Sequence, residues 1–406
     1  MATTTTAIEL QHGQSSLEAR QNRENAPILD SVDSILEASR MEDSQAPEGG
    51  YGWVIVFSCA VLCWWFVGTS YCWGILQAAL VERGLSSPST LSFVGSLTTG
   101  FISFLAIVNA RLIRKLGIRP TALTGIGLIG VINVTPSQYF KVKRGLAYGI
   151  IYAGGGFGGA INSFALDALI QRLGPVWAFR VMGVITLATG LPAAWFIKER
   201  IPTRPNALVE WGLFRDARFS ILYLVGAIGT FPLFVPPFFL PLYTNSLGLA
   251  SSTGAGVVAG FNFASAVGRL ICGYFCDTIG PLNTLCASLL LSAVSILVLW
   301  PVSQSLGSLA AFVIINGVAN GGFFSTMPTV IGNVFGSARV SVAMGMTVTG
   351  WGAPIAGYIL GASGGADAGS DAFRPAIFYA GSMALGATIL AAFVRLKSSK
   401  SMFKRL

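Results

Sequence analysis

Apolar runs of about 20 residues recur along almost the whole chain from Tyr51 onward, each long enough to cross the hydrocarbon core of a bilayer. In lipid every backbone amide must find a partner within the chain, and continuous helices achieve this. The weak alternation of short strands expected of an outer-membrane barrel is not seen. Hydrophobic residues fill 53% of the 406 positions and charged residues 11%, against about 25% charged in a soluble domain. The sequence therefore predicts an all-α integral membrane protein. Helices are expected at 53–76, 90–109, 145–166, 178–197, 220–243, 254–275, 285–302, 309–335, 340–362 and 375–394. A further apolar stretch at 121–138 completes eleven segments.

The formal charge of +9 would fit a nucleic-acid binder, but its distribution excludes that class. Residues 1–50 carry nine acids against Arg20, Arg23 and Arg40, leaving 23 basic and 8 acidic residues in the remainder. These basic residues form short clusters between apolar runs, with no basic face carrying interleaved aromatics. By the positive-inside rule, a cytosolic N-terminus puts 18 of those 23 on the cytosolic side, in loops around 111–119, 141–144, 198–218, 339 and 395–405. The first 50 residues are polar and lack an apolar signal-peptide core; they read as a disordered cytosolic tail. Two bundles, 51–197 and 219–396, are then joined by a cytosolic loop, 198–218, and followed by a basic cytosolic tail, 397–406. A multi-pass protein of the plasma membrane is expected, with both termini cytosolic.

No cofactor or metal is expected. The six cysteines lie in or beside apolar runs, and Cys272 and Cys276, one turn apart, lack further ligands because the only histidine is His12. Gly154-Gly-Gly156-Phe-Gly-Gly159 satisfies the dinucleotide fingerprint G-x-G-x-x-G, but it lies inside an apolar helix with no strand before it. The same glycines give Gly154-x-x-x-Gly158, which lets two membrane helices approach closely. Gly317-x-x-x-Gly321 and Gly357-x-x-x-Gly361 read the same way. A related turn follows the second helix of each half, Ala110 through Arg114 to Gly117 and Gly273 through Asp277 to Gly280. Such weak internal symmetry is a property of transporters built from repeats.

Arg269 carries the sharpest chemical signal, because it lies deep inside an apolar helix. A buried cation costs several kcal/mol unless paired, so an intramembrane arginine is a functional candidate. Asn262, Ser265 and Arg269 follow i, i+3, i+7 spacing and share one helix face. A guanidinium can hold a carboxylate through two parallel hydrogen bonds; the alternative is an arginine that snorkels to the cytosolic interface. Asn316 and Asn320, one turn apart, either line a cavity or bond to neighbouring helices. Among the aromatics of the first helix, Trp65 and Tyr71 are candidates for substrate contact, with lipid-facing packing the alternative for a tryptophan. Pro232, Pro236, Pro237 and Pro241 should kink or break their helix, for gating or for packing alone.

Pro47-Glu-Gly-Gly-Tyr-Gly-Trp53, Tyr139-Phe-Lys-Val-Lys-Arg-Gly-Leu-Ala147 and Asn262-Phe-Ala-Ser-Ala-Val-Gly-Arg269 through Asp277 resemble the monocarboxylate porter family of the major facilitator superfamily, fungal members in particular. The resemblance spans residues 47 to 396. It implies two six-helix bundles around a central cavity opening alternately to each side, with Arg269 as a substrate-binding residue and a small organic anion co-transported with a proton. Two departures bear on the proton. Ser265 stands where animal members carry an aspartate, and the first helix has Thr69-Ser-Tyr71 and no lysine. With no intramembrane carboxylate left as a relay, proton symport is expected to be weak or absent.

The segment between Arg119 and Lys141 is too short. Its 21 residues allow one crossing, whereas both flanking loops are basic and belong in the cytosol. Thr121 to Gly130 resembles the start of the family's third helix, and Pro136 to Phe140 the end of its fourth. About one helix-worth of sequence is missing, on the order of 20–30 residues. A short re-entrant or interfacial excursion is expected, because a single crossing would invert everything after it. The leading functional reading is an organic-anion porter. A transport-incompetent relative acting as a sensor or partner-binding protein is the alternative. A membrane enzyme would need clustered acid–base residues that the sequence lacks.

Overall fold

The computed structural model describes residues 46–84, 117–123, 128–198, 217–335 and 352–398, with 90–91, 93–95, 97, 200 and 214 as isolated positions. Expectations about most of the N-terminal tail, the 90–109 helix, the 198–218 loop, the beginning of the 340–362 helix and the C-terminal tail concern residues largely outside this set. The described residues are helical throughout, with turns between helices and no strand among them. The helices are α1 Tyr51–Tyr71, α2 Trp73–Glu82, α3 Ile118–Leu123, α4 Leu128–Tyr139, α5 Arg144–Leu173, α6 Pro175–Phe196 and α7 Ala217–Gly229. There follow α8 Phe231–Ser246, α9 Ser251–Ile279, α10 Pro281–Val294, α11 Leu306–Phe335, α12 Gly352–Ala362 and α13 Arg374–Ser398. Among the described residues, seven helical spans are long and apolar enough to cross a membrane.

Connections are short, and their chemistry is legible. Gly174 and Gly280 take positive φ, 79° and 97°, and each is followed by a proline in the first turn of the next helix. Glycine supplies a φ that L residues resist, and proline at the start gives up only an amide that had no helical partner. The same Gly-Pro joint therefore turns the chain in both halves.

Two helices expected as single runs, one in each half, are interrupted by a one-residue turn. The first stops at Tyr71 and resumes at Trp73, so it extends past the expected end at 76. Its counterpart breaks at Thr230, ahead of Pro232, and the second piece carries Pro236, Pro237 and Pro241 inside it. The resumed pieces meet, with Gly74 against the backbone of Pro237 and Phe238. The expected 285–302 helix is regular only to Val294; a widened π turn, Ser295–Leu299, and a tight turn containing Pro301 follow. Proline here removes an amide from the ladder and distorts the turn before it.

The two halves join mainly through α5 and α9, which run antiparallel. Gly145 and Gly149 lie against Gly273, Gly156 against Ala266, and Gly159 against Asn262. Glycine here lets the two backbones approach closely. Gly154 and Gly158 face the other way, onto Ala60 and Trp64 of α1. A β-carbon at Gly158 would lie 2.6 Å from the Trp64 carbonyl oxygen.

The short segment takes the form of an excursion. α3 and α4 rise about 9 and 18 Å, too little for either to span a core about 30 Å thick. Both ends of the segment hold the same end of α6. The Arg119 side chain donates to the Ile197 carbonyl at 3.2 Å, and the Tyr139 hydroxyl to the Lys198 carbonyl at 3.3 Å. Glu48, just before α1, joins the same end. Its carboxylate accepts from the amides of Lys141, Val142 and Lys143 at 2.6, 2.6 and 3.2 Å. The chain thus leaves and returns on one side, the end where the basic loops gather.

Candidate functional site

Arg269 sits ten residues before the end of α9, about 15 Å in from the basic end, and is fully buried. Its side chain crosses into the N-terminal half instead of snorkelling. One terminal nitrogen donates to the carbonyl of Tyr152 on α5, and the other to the hydroxyl of Tyr71 at 2.9 Å. Tyr71 is the last residue before the turn at Cys72 in the first helix. The cation also lies over two rings, 5.5 Å from the centroid of Tyr71 and 5.2 Å from that of Phe324 on α11. Phe234, from α8, closes the group at 6.0 Å from Tyr71 and 6.3 Å from Phe324. Four elements, two from each half, thereby form an aromatic box around one charge, a favourable setting for a desolvated cation.

Both identified partners of Arg269 are neutral oxygens, and its Nε donor has no partner. Along the same face, Ser265 and Asn262 are fully buried, and neither the Ser265 hydroxyl nor either end of the Asn262 amide has a partner. Asn320 donates to the Leu233 carbonyl at 2.8 Å while its carbonyl oxygen stays unpartnered, one turn from Phe324. Buried polar atoms are normally bonded, and several of the exceptions among the described residues lie along this face.

Other residues singled out from the sequence lie elsewhere. Trp65 is not brought to Arg269, because its indole donates to the Thr189 hydroxyl on α6 at 2.6 Å. Asn316 donates to Ser295, in the widened turn after α10, at 2.8 Å, which is a contact inside the C-terminal half. Asp277 caps the start of α5, accepting from the amides of Gly145 and Leu146 at 2.9 Å each. A carboxylate at a helix N-terminus is favoured by the dipole there, and this one ties the halves together at the basic end. Pro236 and Pro237 are buried in the core of α8. The sequence reading missed Tyr152, Phe234 and Phe324. A backbone carbonyl has no sequence signature, and the two phenylalanines sit among many.

An intramembrane cation held between two helical bundles, each with a broken first helix, defines a polytopic membrane protein of the transporter type. The chain belongs to the Major Facilitator Superfamily, whose family model matches residues 130–260 and 222–404. It is 26% identical over 377 residues to the aspyridones efflux protein apdF of Emericella nidulans, with 82% of this chain and 77% of that protein covered. MFS-type transporter 1 of an Ophiocordyceps species is 27% identical over 346 residues, covering 75% and 76%. The human organic anion transporter MFSD10 aligns over 93% of each chain at 14% identity with a TM-score of 0.47. The superfamily is one of membrane transporters, and the protein is accordingly a multi-pass integral membrane protein.

Proposed function

We propose that this chain is an alternating-access porter for an organic anion whose acidic group is held by Arg269. The observation that carries the reading is a fully buried guanidinium whose identified partners are neutral and whose Nε is unpartnered. A buried charge is strongly unfavourable without a counter-charge, and a substrate carboxylate or equivalent anion would supply one. The relatives' names favour outward movement of a fungal metabolite over uptake of a small monocarboxylate. The membrane is taken to be the plasma membrane, with the basic end of the bundle in the cytosol. Proton coupling is taken to be weak, since Ser265 replaces the family's carboxylate. The test is uptake of a panel of labelled organic acids into proteoliposomes by the wild-type chain and by Arg269→Lys. Transport of at least one acid, lost in the variant, supports the reading. Uptake equal to that of empty vesicles for every acid overturns it.

The short excursion favours a second reading, a relative that binds its ligand without transporting it. α3 and α4 are 6 and 12 residues long, too short to supply two full crossings to the N-terminal bundle. Saturable binding of an acid without uptake would select this reading, and robust transport by this chain would remove it.

A further inference from the structure

Asn262 is the most unusual buried group outside the Arg269 contacts. It has no solvent exposure, and both the donor and the acceptor of its amide lack partners. Room has been made for it: a β-carbon on Gly159 would lie 2.9 Å from the Asn262 amide carbon and its nitrogen. A residue serving only to pack here would be apolar, because an unpaired amide gives up its hydration for nothing in return. The amide belongs there only if a partner arrives in another state of the protein.

We propose that Asn262 is a second polar subsite that reads a secondary amide or lactam at the far end of an elongated anionic substrate. A carboxamide presents a donor and an acceptor side by side. Its complement is a group with the same pair reversed, as in a cis amide or a lactam ring. Seven residues of helix place this subsite about 10 Å from Arg269 along α9, a span that a three-carbon acid cannot bridge. The Ser265 hydroxyl, also unpartnered, lies between them on the same face. Tyr71 and Phe324 flank the Arg269 end, so the substrate's anionic end enters an aromatic box. The substrate class is thus an amphipathic acid with an apolar or aromatic middle and a lactam-like group opposite the charge. This inference rests on the porter reading of Arg269 and specifies what that site selects.

The test compares two synthetic acids binding to the full-length chain in lipid nanodiscs. One carries a secondary lactam about 10 Å from its carboxylate, matching the helix spacing; the other is its N-methyl lactam. The wild type should prefer the N–H lactam by at least about tenfold, since a site built to bond a donor rejects the analogue lacking it. Asn262→Leu should reduce that preference to less than about twofold by removing the acceptor that reads the lactam N–H. Equal binding of the two acids by the wild type overturns the subsite alone, as does a preference retained in Asn262→Leu. Binding of neither acid overturns the subsite together with the anion reading of Arg269. Asn262→Ala serves the same comparison if the leucine variant does not fold.

Discussion

At the scale of single residues, the guanidinium of Arg269 spans two acceptors on different elements, the Tyr71 hydroxyl and the Tyr152 carbonyl. A planar fork can make both bonds at once, whereas a lysine ammonium is a point charge on a different stem. Arg269→Lys is therefore expected to lower uptake of a transported acid by more than about tenfold, a loss of about 1.4 kcal/mol, with similar protein yield in the membrane. Uptake within about twofold of wild type, measured in proteoliposomes, would refute a fork-shaped clamp. Much of this was legible in the sequence. A charge inside an apolar run is conspicuous, and helical spacing places Asn262, Ser265 and Arg269 on one face. The same spacing could not say what each face meets. Trp65 and Tyr71 both lie on α1, yet one reaches Thr189 and the other reaches Arg269. Periodicity fixes a residue's angle relative to its own helix; the neighbour at that angle is a property of packing.

At the scale of elements, the excursion through α3 and α4 shows how length can overrule hydropathy. The stretch is apolar enough for a crossing, but its two ends are pinned to the same end of α6. Single cysteines replacing Lys115 and Lys143 should therefore react with an impermeant thiol reagent from the same side of sealed vesicles. Labelling from opposite sides would mean that the segment crosses and that the remaining helices are inverted. The basic residues on either side announced this geometry through the positive-inside rule. The pairing of Arg119 with Ile197 and of Tyr139 with Lys198 was not foreseeable, because those contacts join residues 78 and 59 positions apart. The broken helices were half legible. Of the four prolines, Pro232 lies at the discontinuity in the second half while Pro236, Pro237 and Pro241 sit inside an unbroken α8, and the break after Tyr71 carries no proline.

At the scale of the whole molecule, the placement of acidic residues bears on energy coupling. Among the described residues, Asp167 is half-buried near the end of α5 and accepts from Gln171, while Asp277 caps the opposite end of that helix. Among the described residues, no carboxylate is a hydrogen-bond or ion-pair partner of Arg269. Uptake should consequently be indifferent to an imposed proton gradient. A clear stimulation by external acid, abolished by a protonophore, would show that another group carries the proton. The overall architecture was the most readable level, because lipid permits few solutions for an apolar backbone.

The glycine contact between α5 and α9 also has a kinetic meaning. Helices that interlock through side-chain ridges must unseat them before moving, whereas the glycine part of this contact acts as a plain bearing, with the Asp277 and Arg269 bonds across the pair as ties that must break. Gly149 and Gly156 ride on the backbones of Arg269 and Ala266, so the bearing surface passes directly beside the buried charge. A methyl at Gly156 would lie 2.8 Å from Ala266 atoms and act as grit. Gly156→Ala should leave ligand affinity within a few-fold of wild type while slowing turnover by about tenfold, the signature of an obstructed conformational step. Equal slowing by Gly183→Ala, whose β-carbon would meet nothing, would remove the bearing as the cause. Speed in such a protein is set where the chain has the least to offer in side chains.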